Sequence, residues 1–409
     1  MRLGLLKEQI KNAYENVPFY QKAFRSRGLL PDNIATITDL AKFPIISKSH
    51  IQQNPDLFLN ARILKSRCFA SHTSGSTGEP SWTYYDRPCW YRKKYLSKLR
   101  ARMACGLNWG ERIAIFESES TAKLRKQTRR IPFQNLIFQV SYFSIFEEVK
   151  MTLPLLIVFS PQNIYGPPSY LLQLARVFEE EKKHLPGLKR IFTSSEYLEA
   201  TVKRFLSGAF QANIFDVYGC TEMKEVAWEC GQGKGYHINE DEVICEVVEE
   251  SGENLSPGEV GNIVMTDLHN KAMPLIRFWT GDKGMLLEES CVCGRTFSLM
   301  RPLVGRASEY IQLPNGKKLS PYLFTTSIEG IDGLLQYQII QKSDLDLCVK
   351  VIFNDAKFRE GSLEIERILG RVTENTMKIT IEQSDKIDIE EAGKYKVVKN
   401  LMKEAFHEG

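Results

Sequence analysis

From about residue 66 to residue 303, short apolar runs alternate with amphipathic stretches. Examples are ERIAIFES, LLIVFS, LKRIFTSS, ANIFDVYG and GNIVMT. Each reads as a strand, and SYLLQLARVFEEEKKH between two of them reads as a helix with Ser169 as its cap. Strand–helix alternation of this kind predicts an α/β domain with wound sheets. Ahead of it, Leu5, Leu6, Ile10, Ala13 and Val17 recur at helical spacing until Pro18 stops the pattern. The texture changes after Arg306. SEYIQLPNGKKLS reads as a hairpin around Pro314, Asn315 and Gly316. YQIIQ, LDLCVKVIF and MKITIEQ read as strands and LEIERILGRV as a helix. The expected organisation is a large domain over 1–305 and a small α+β domain over 306–409, sizes that suit 409 residues.

Composition narrows the function classes. Hydrophobic residues make up 43% and charged residues 25%, which are globular values. The net charge is only +4 and no basic stripe is interleaved with aromatics, so nucleic acid is not an expected partner. The densest basic run, Lys123, Arg125, Lys126, Arg129 and Arg130, reads as a solvated helix face. LPLLIVF, from Leu153 to Phe159, is too short to span a bilayer, and the first twenty residues lack a signal-peptide core. No membrane partner is expected, and the reading is a cytoplasmic protein. Nine scattered cysteines do not suggest a disulfide framework. Cys68, Cys105 and Cys348 read as buried small hydrophobes.

The strongest chemical signal is Thr73, Ser74, Gly75, Ser76, Thr77 and Gly78, followed by Glu79 and Pro80, just after the β-like run RCFASH. Glycines allow close backbone approach, and hydroxyls and N–H groups donate to phosphate oxygens. No Lys follows Gly78, so this is not a Walker loop. Alone, such a cluster is more often a plain turn. Three further motifs reverse that reading: Asp216-Val217-Tyr218-Gly219-Cys220-Thr221-Glu222 after a strand-like run, Thr280-Gly281-Asp282 after PLIRFW, and Gly305-Arg306.

In this order, with a late Gly393-Lys394, the motifs resemble the adenylate-forming superfamily of acyl-CoA synthetases and adenylation domains. Within it, VPFYQKAF, GPPSY, MPLIRF and the run Cys291-Val292-Cys293-Gly294-Arg295-Thr296 resemble the phenylacetate–CoA ligase-like branch. The resemblance implies ATP-dependent activation of a carboxylic acid as its acyl-AMP, with a small mobile C-terminal domain. It implies that Thr73 to Gly78 hold the β- and γ-phosphates. It implies that Ser195 and Glu196 line the adenine, that Asp216 accepts from its amino group, and that Tyr218, beside Gly219, stacks on it. Thr221 would contact the α-phosphate, Glu222 hold Mg²⁺, Asp282 take the ribose hydroxyls, and Arg306 reach the ribose. Lys394, with Lys396 as runner-up, would stabilise charge as the adenylate forms. The resemblance implies a hinge just after Gly305-Arg306, at Ser308 or Glu309, where the run Ala307-Ser308-Glu309 departs from the family pattern. The stretch from Thr121 to Ile157, which normally shapes the acyl pocket, departs too.

Cys230 and His237 are six residues apart, and Cys291 and Cys293 one apart. Three thiolates and an imidazole suit a closed structural zinc site if they meet, although Cys-x-Cys is tighter than the usual ligand pair. The expected partners are a carboxylic acid and an acyl acceptor, coenzyme A first, with a homodimer as the possible assembly. An amide-forming ligase that passes the acyl group to an amine is the alternative, and a non-catalytic nucleotide-binding relative ranks below it. His72 and His269 are assigned no role.

Overall fold

The computed structural model describes residues 1–72, 81–117, 138–145, 147–303, 311–319, 324, 327–328, 331–354, 357–387 and 397–402. The chain forms two compact units, each built from two segments. One comprises Met1–Gly106 and Val217–Leu303, the other Leu107–Asp216 and Val304–Gly409.

In the first unit the opening helix runs over Arg2–Asn16, and Pro18 starts a second, Pro18–Arg25, at the position where its missing N–H costs nothing. Leu6, Ile10, Ala13 and Val17 are fully buried, as the helical spacing requires. They pack with Tyr20 and Phe24 into one cluster with Met265, Ile276 and Phe278. Each of the buried Leu, Ile, Val, Met and Phe side chains contributes about 1.5–3 kcal/mol of burial. The sheet beneath is antiparallel. Its strands lie in the order Val243–Val248, Gly261–Asp267, Phe278–Leu287, Leu299–Leu303, Tyr236–Ile238, Lys224–Glu229 and, from Val217 onward, Asn213–Cys220. A separate two-stranded ladder pairs Phe69–His72 with Trp82–Tyr85. A helical segment follows, Arg87–Tyr91, a π turn over Arg92–Leu96, then Ser97–Ala104. Lys93 in the π turn makes a buried ion pair with Asp267 at 3.1 Å.

The second unit has the expected α/β character. Arg112–Glu117 pairs in parallel with Gln139–Ser144 and Asn163–Gly166, and the latter with Arg190–Ser194. Helices Val149–Phe159, Pro168–Glu180 and Ala200–Phe210 pack with these strands in one apolar cluster. The later segment carries the predicted short hairpin, Ile311–Gln312 with Lys318–Leu319. Gly316 takes a φ of +84°, which favours glycine at that turn. Lys378–Gln383, Asp346–Phe353, Leu334–Gln341 and Val398–Asn400 then form a four-stranded sheet in that order. Helix Phe358–Val372 packs on it through Ile365 and Leu369.

Two local expectations are corrected. LLIVFS is not a strand but the end of helix Val149–Phe159, with Pro154 inside it. A short unbroken apolar run has no periodicity to separate helix from strand. Here Leu153 and Leu156 are buried while Met151, Leu155 and Val158 are exposed. Ser169 is not the cap of its helix, because Pro167 holds that position. Ser169 instead gives its backbone N–H and its hydroxyl to the two carboxylate oxygens of Glu196, at 2.9 and 2.8 Å. A carboxylate from a distant loop thus satisfies the open N-terminus of this helix.

Candidate functional site

The Asp216–Glu222 motif folds as the turn end of a hairpin. Strand Asn213–Cys220 pairs with Lys224–Glu229 in the register Val217↔Trp228, Tyr218↔Ala227, Gly219↔Glu225 and Cys220↔Lys224. The register slips between Tyr218 and Gly219, a β-bulge that re-aims side chains. Lys224 closes the turn with a φ of +64°. A Cβ on Gly219 would lie 2.2 Å from the Lys224 carbonyl oxygen, so the motif glycine is required by close backbone approach. Gly219→Ala is expected to displace the bulge, cost about 1–3 kcal/mol of stability, and abolish nucleotide binding. Thermal unfolding and calorimetric ATP titration of the variant check this. Wild-type affinity would show that the bulge does not matter.

The bulge presents Tyr218, whose hydroxyl donates to Asp282 Oδ2 at 2.8 Å. Burial, with the Asp282 carboxylate beside it, holds the Tyr218 phenol protonated well above its usual range. Asp282 is set by its own turn. Gly281 has a φ of +84°, and the Thr280 hydroxyl accepts from the Asp282 N–H at 3.1 Å. Thr221 and the buried Glu222 are fixed through their carbonyls, both accepting from the Tyr85 hydroxyl at 2.5 and 3.0 Å.

Sequence reasoning missed two partners of this hairpin. One is Tyr85; the other is Lys224, whose ammonium donates to Ser71 Oγ at 2.7 Å. It lies 4.9 and 5.4 Å from the ring centres of Tyr85 and Trp90. Burial, helped by Lys98, brings its pKa down to about 8. It ties the hairpin to the strand that ends at His72. The only available signal was a lysine two places after Glu222, which alone says nothing.

In the other unit, Asp216 is buried and accepts from the Thr193 hydroxyl at 2.5 Å. Ser195 has a left-handed φ of +78°, and Glu196 is engaged at Ser169. Thr73 to Gly78, Arg306, Ser308, Glu309, Lys394 and Lys396 lie outside the described residues, as do the basic run Lys123–Arg130 and much of Thr121–Ile157.

The four metal-type residues do meet. Ligand atoms of Cys230, His237, Cys291 and Cys293 all lie within 4.8 Å of one another. The Cys230 and Cys291 sulfurs are 3.5 Å apart, and Cys293 Sγ is 3.3 Å from His237 Nε2. Burial keeps His237 below the ordinary histidine range. Against the upward push of burial, hydrogen bonds to Arg295, Cys291 and Cys230 bring the Cys293 thiol down to about 7. Trp228 and Leu299 pack around the cluster. Of the other cysteines, Cys348 is buried as expected, but Cys68 and Cys105 are half-buried. The Cys105 thiol donates to the Glu229 carbonyl at 3.3 Å. His269 is structural, its Nε2 lying 2.7 Å from the Asp241 carbonyl oxygen.

Residues 311–401 match the CapK C-terminal domain family. The phenylacetate–coenzyme A ligase of Thermus thermophilus is 28% identical, with 97% of this chain and 95% of that protein covered. The enzyme of the same name from Aromatoleum evansii is 27% identical, covering 95% and 89%. Among solved structures, 2-hydroxyisobutyryl-CoA ligase in its postadenylation state superposes with a TM-score of 0.80 at 20% identity, covering 97% of this chain and 88% of that one, and shares the fold. In its ordered motifs and in these relatives, the chain is similar to the phenylacetate–CoA ligase-like branch of the adenylate-forming superfamily, and it shares that fold.

Proposed function

We propose that this chain is an AMP-forming acid–coenzyme A ligase. In the first half-reaction a substrate carboxylate oxygen attacks the α-phosphorus of ATP, pyrophosphate leaves, and an acyl-AMP forms. In the second, the thiol of coenzyme A attacks the acyl carbonyl and AMP leaves. The protein's contribution is positioning and charge neutralisation. The observation that carries the reading is the Tyr218–Asp282 pair on the bulged hairpin. It sets a carboxylate that suits a ribose diol against an aromatic ring that suits a base. The phenylacetate–CoA ligases that match nearly the whole chain support the acceptor.

In this reading Asp282 accepts from both ribose hydroxyls and Tyr218 stacks on the adenine. Asp216, Ser195 and Glu196 serve the adenine, and Arg306 the ribose. Thr73 to Gly78 hold the β- and γ-phosphates, and Thr221 the α-phosphate. Glu222 is a hard oxygen ligand suited to Mg²⁺, which would neutralise phosphate charge. We assign Cys230, His237, Cys291 and Cys293 to one structural Zn²⁺, since a closed set of four leaves no position for a catalytic water. The division into domains at 305/306 and a cytoplasmic location belong to the same reading. No described helix is long and apolar enough to cross a membrane.

Phenylacetate is the first acid to test. A pyrophosphate-release screen over aryl, fatty and amino acids, with and without coenzyme A, is expected to show acid-dependent release, with thioester only when the thiol is supplied. Amide products from added amines in place of thioester would replace this reading with the amide-forming one. Asp282→Ala is expected to weaken ATP binding by roughly 10²-fold or more, because two charge-assisted hydrogen bonds of about 1.5–3 kcal/mol each are lost. Unchanged calorimetric affinity would remove Asp282 from the site.

A further inference from the structure

Lys224 stands apart from the other cations of its neighbourhood. On the neighbouring helical segment Lys93 pairs with Asp267 at 3.1 Å, and Lys98 and Arg102 pair with Glu225 at 3.4 and 2.9 Å. The Lys224 ammonium meets a hydroxyl, Ser71 Oγ, and the rings of Tyr85 and Trp90, and has no ion-pair partner among the described residues. Burial, Lys98 and Lys94 oppose its charge more than Cys220 and Glu222 favour it. An anion brought to this ammonium would relieve that cost.

The facing strand offers a second group in want of a partner. Thr83 pairs with Ser71 across the two-stranded ladder, so the two side chains share a face. Thr83 is 1% exposed, and its hydroxyl has no hydrogen-bond partner among the described residues. Lys224 and Ser71 keep part of their surface open. Tyr85 and Trp90 wall the recess, and Trp90 stacks on Phe69 at 5.0 Å. One ammonium and two hydroxyls between aromatic rings suit a single carboxylate on an apolar body. They suit a hydrated, magnesium-bound triphosphate less well. The recess adjoins the reaction centre. The pair Cys220↔Lys224 closes the three-residue loop of Thr221, Glu222 and Met223. Tyr85 holds the Thr221 and Glu222 carbonyls with its hydroxyl, and its ring lies 4.9 Å from the Lys224 ammonium.

We infer that Lys224, with Ser71 and Thr83, binds a second carboxylate at the far end of the acid substrate, so that this enzyme selects a dicarboxylic acid and activates one end of it. This rests on the ligase reading above, in which the reacting carboxylate meets the α-phosphate beside Thr221. The test uses the full chain and two matched pairs of acids: phenylacetate with 4-carboxyphenylacetate, and hexanoate with adipate. Within each pair the acids differ by the far carboxylate. For each acid kcat/KM is measured by pyrophosphate release, together with KM for ATP, in wild type, Lys224→Met, Lys224→Arg and Thr83→Val. The same acids are titrated directly by calorimetry.

Wild type is expected to prefer the diacid of at least one pair by roughly 10-fold or more, the worth of one charge-assisted contact. Lys224→Met should erase most of that preference, Thr83→Val should reduce it, and Lys224→Arg should keep part of it. A purely structural lysine predicts instead that both acids of a pair suffer equally, and that result overturns the assignment. So does a wild type that prefers the monoacid in both pairs. A Lys224→Met variant that raises KM for ATP and leaves the acid ratio alone would give the ammonium to the triphosphate and overturn it too. Should Lys224→Met fail to fold, the wild-type ratio and Thr83→Val decide. Should no acid release pyrophosphate, the ligase reading fails instead. The calorimetric titrations of diacid and monoacid then still decide whether Lys224 binds a second carboxylate.

Discussion

With Cys230, His237, Cys291 and Cys293 assigned to a structural Zn²⁺ as proposed, chelation is expected to cost this protein its folded first unit, and activity with it. The cluster joins chain segments about sixty residues apart. Cys230 follows strand Lys224–Glu229, and Cys291 and Cys293 lie between Phe278–Leu287 and Leu299–Leu303. The strand Tyr236–Ile238, which carries His237, pairs with both Lys224–Glu229 and Leu299–Leu303. Tetrahedral Zn–S bonds of about 2.3 Å place sulfurs about 3.8 Å apart, close to the 3.5 Å between Cys230 and Cys291. An ion held by this set would bind only in the folded chain, so its binding energy would be folding energy. Cys291→Ala should lower the unfolding midpoint by about 10 °C or more, as expected if a few kcal/mol of folding energy are lost. The partner strand of the same hairpin, Asn213–Cys220, presents Tyr218 to Asp282, so nucleotide affinity should fall in step. Elemental analysis should find one zinc per chain in gently purified protein. Absence of zinc from fully active protein, or an unfolding midpoint unmoved by strong chelation, would sink the assignment.

Local patterns were legible in the sequence where the structure is made by neighbours. The opening helix, the hairpin at Gly316 and helix Phe358–Val372 follow from periodicity and turn chemistry within a few residues. LLIVFS was misread because a uniformly apolar run carries no period, and its exposed face has no polar residue to mark it. Ser169 was misread because its partner, Glu196, lies 27 residues on and acts through tertiary contact. The same holds for Lys224 and Ser71, which are 153 residues apart. Cys230, His237, Cys291 and Cys293 could be named from residue type, but their meeting depends on strand pairing that spacing does not encode. Gly219 could be named as part of a motif. The reason for a glycine there, the carbonyl of Lys224, emerges only from the bulge.

Lys394→Ala is expected to divide the two half-reactions. The lysine stands in Glu391-Ala392-Gly393-Lys394-Tyr395-Lys396, near the end of the chain. Alone it would read as a solvated side chain. Its place in an ordered set with Tyr218, Thr221, Glu222 and Asp282 gives it a different reading. As the carboxylate attacks the α-phosphorus, negative charge accumulates on the phosphate oxygens and on departing pyrophosphate. A fixed ammonium there stabilises the transition state more than the ground state. Removing it should slow acid-dependent pyrophosphate release by roughly 10²-fold or more, the scale of one lost electrostatic donor. Thioester formation has another demand. The thiol must reach the acyl carbonyl, the leaving group is AMP, and no pyrophosphate is present to be stabilised. If the small domain changes position between the steps, the lysine serves only the first. Acyl transfer from a supplied acyl-adenylate should therefore proceed in Lys394→Ala at close to the wild-type rate. Lys396→Ala, the control, should leave both steps near wild type. Slowing confined to Lys396→Ala would move the role two residues along. Equal slowing of both half-reactions in Lys394→Ala would mean that this lysine supports the fold or the binding of AMP, and not the chemistry of adenylation.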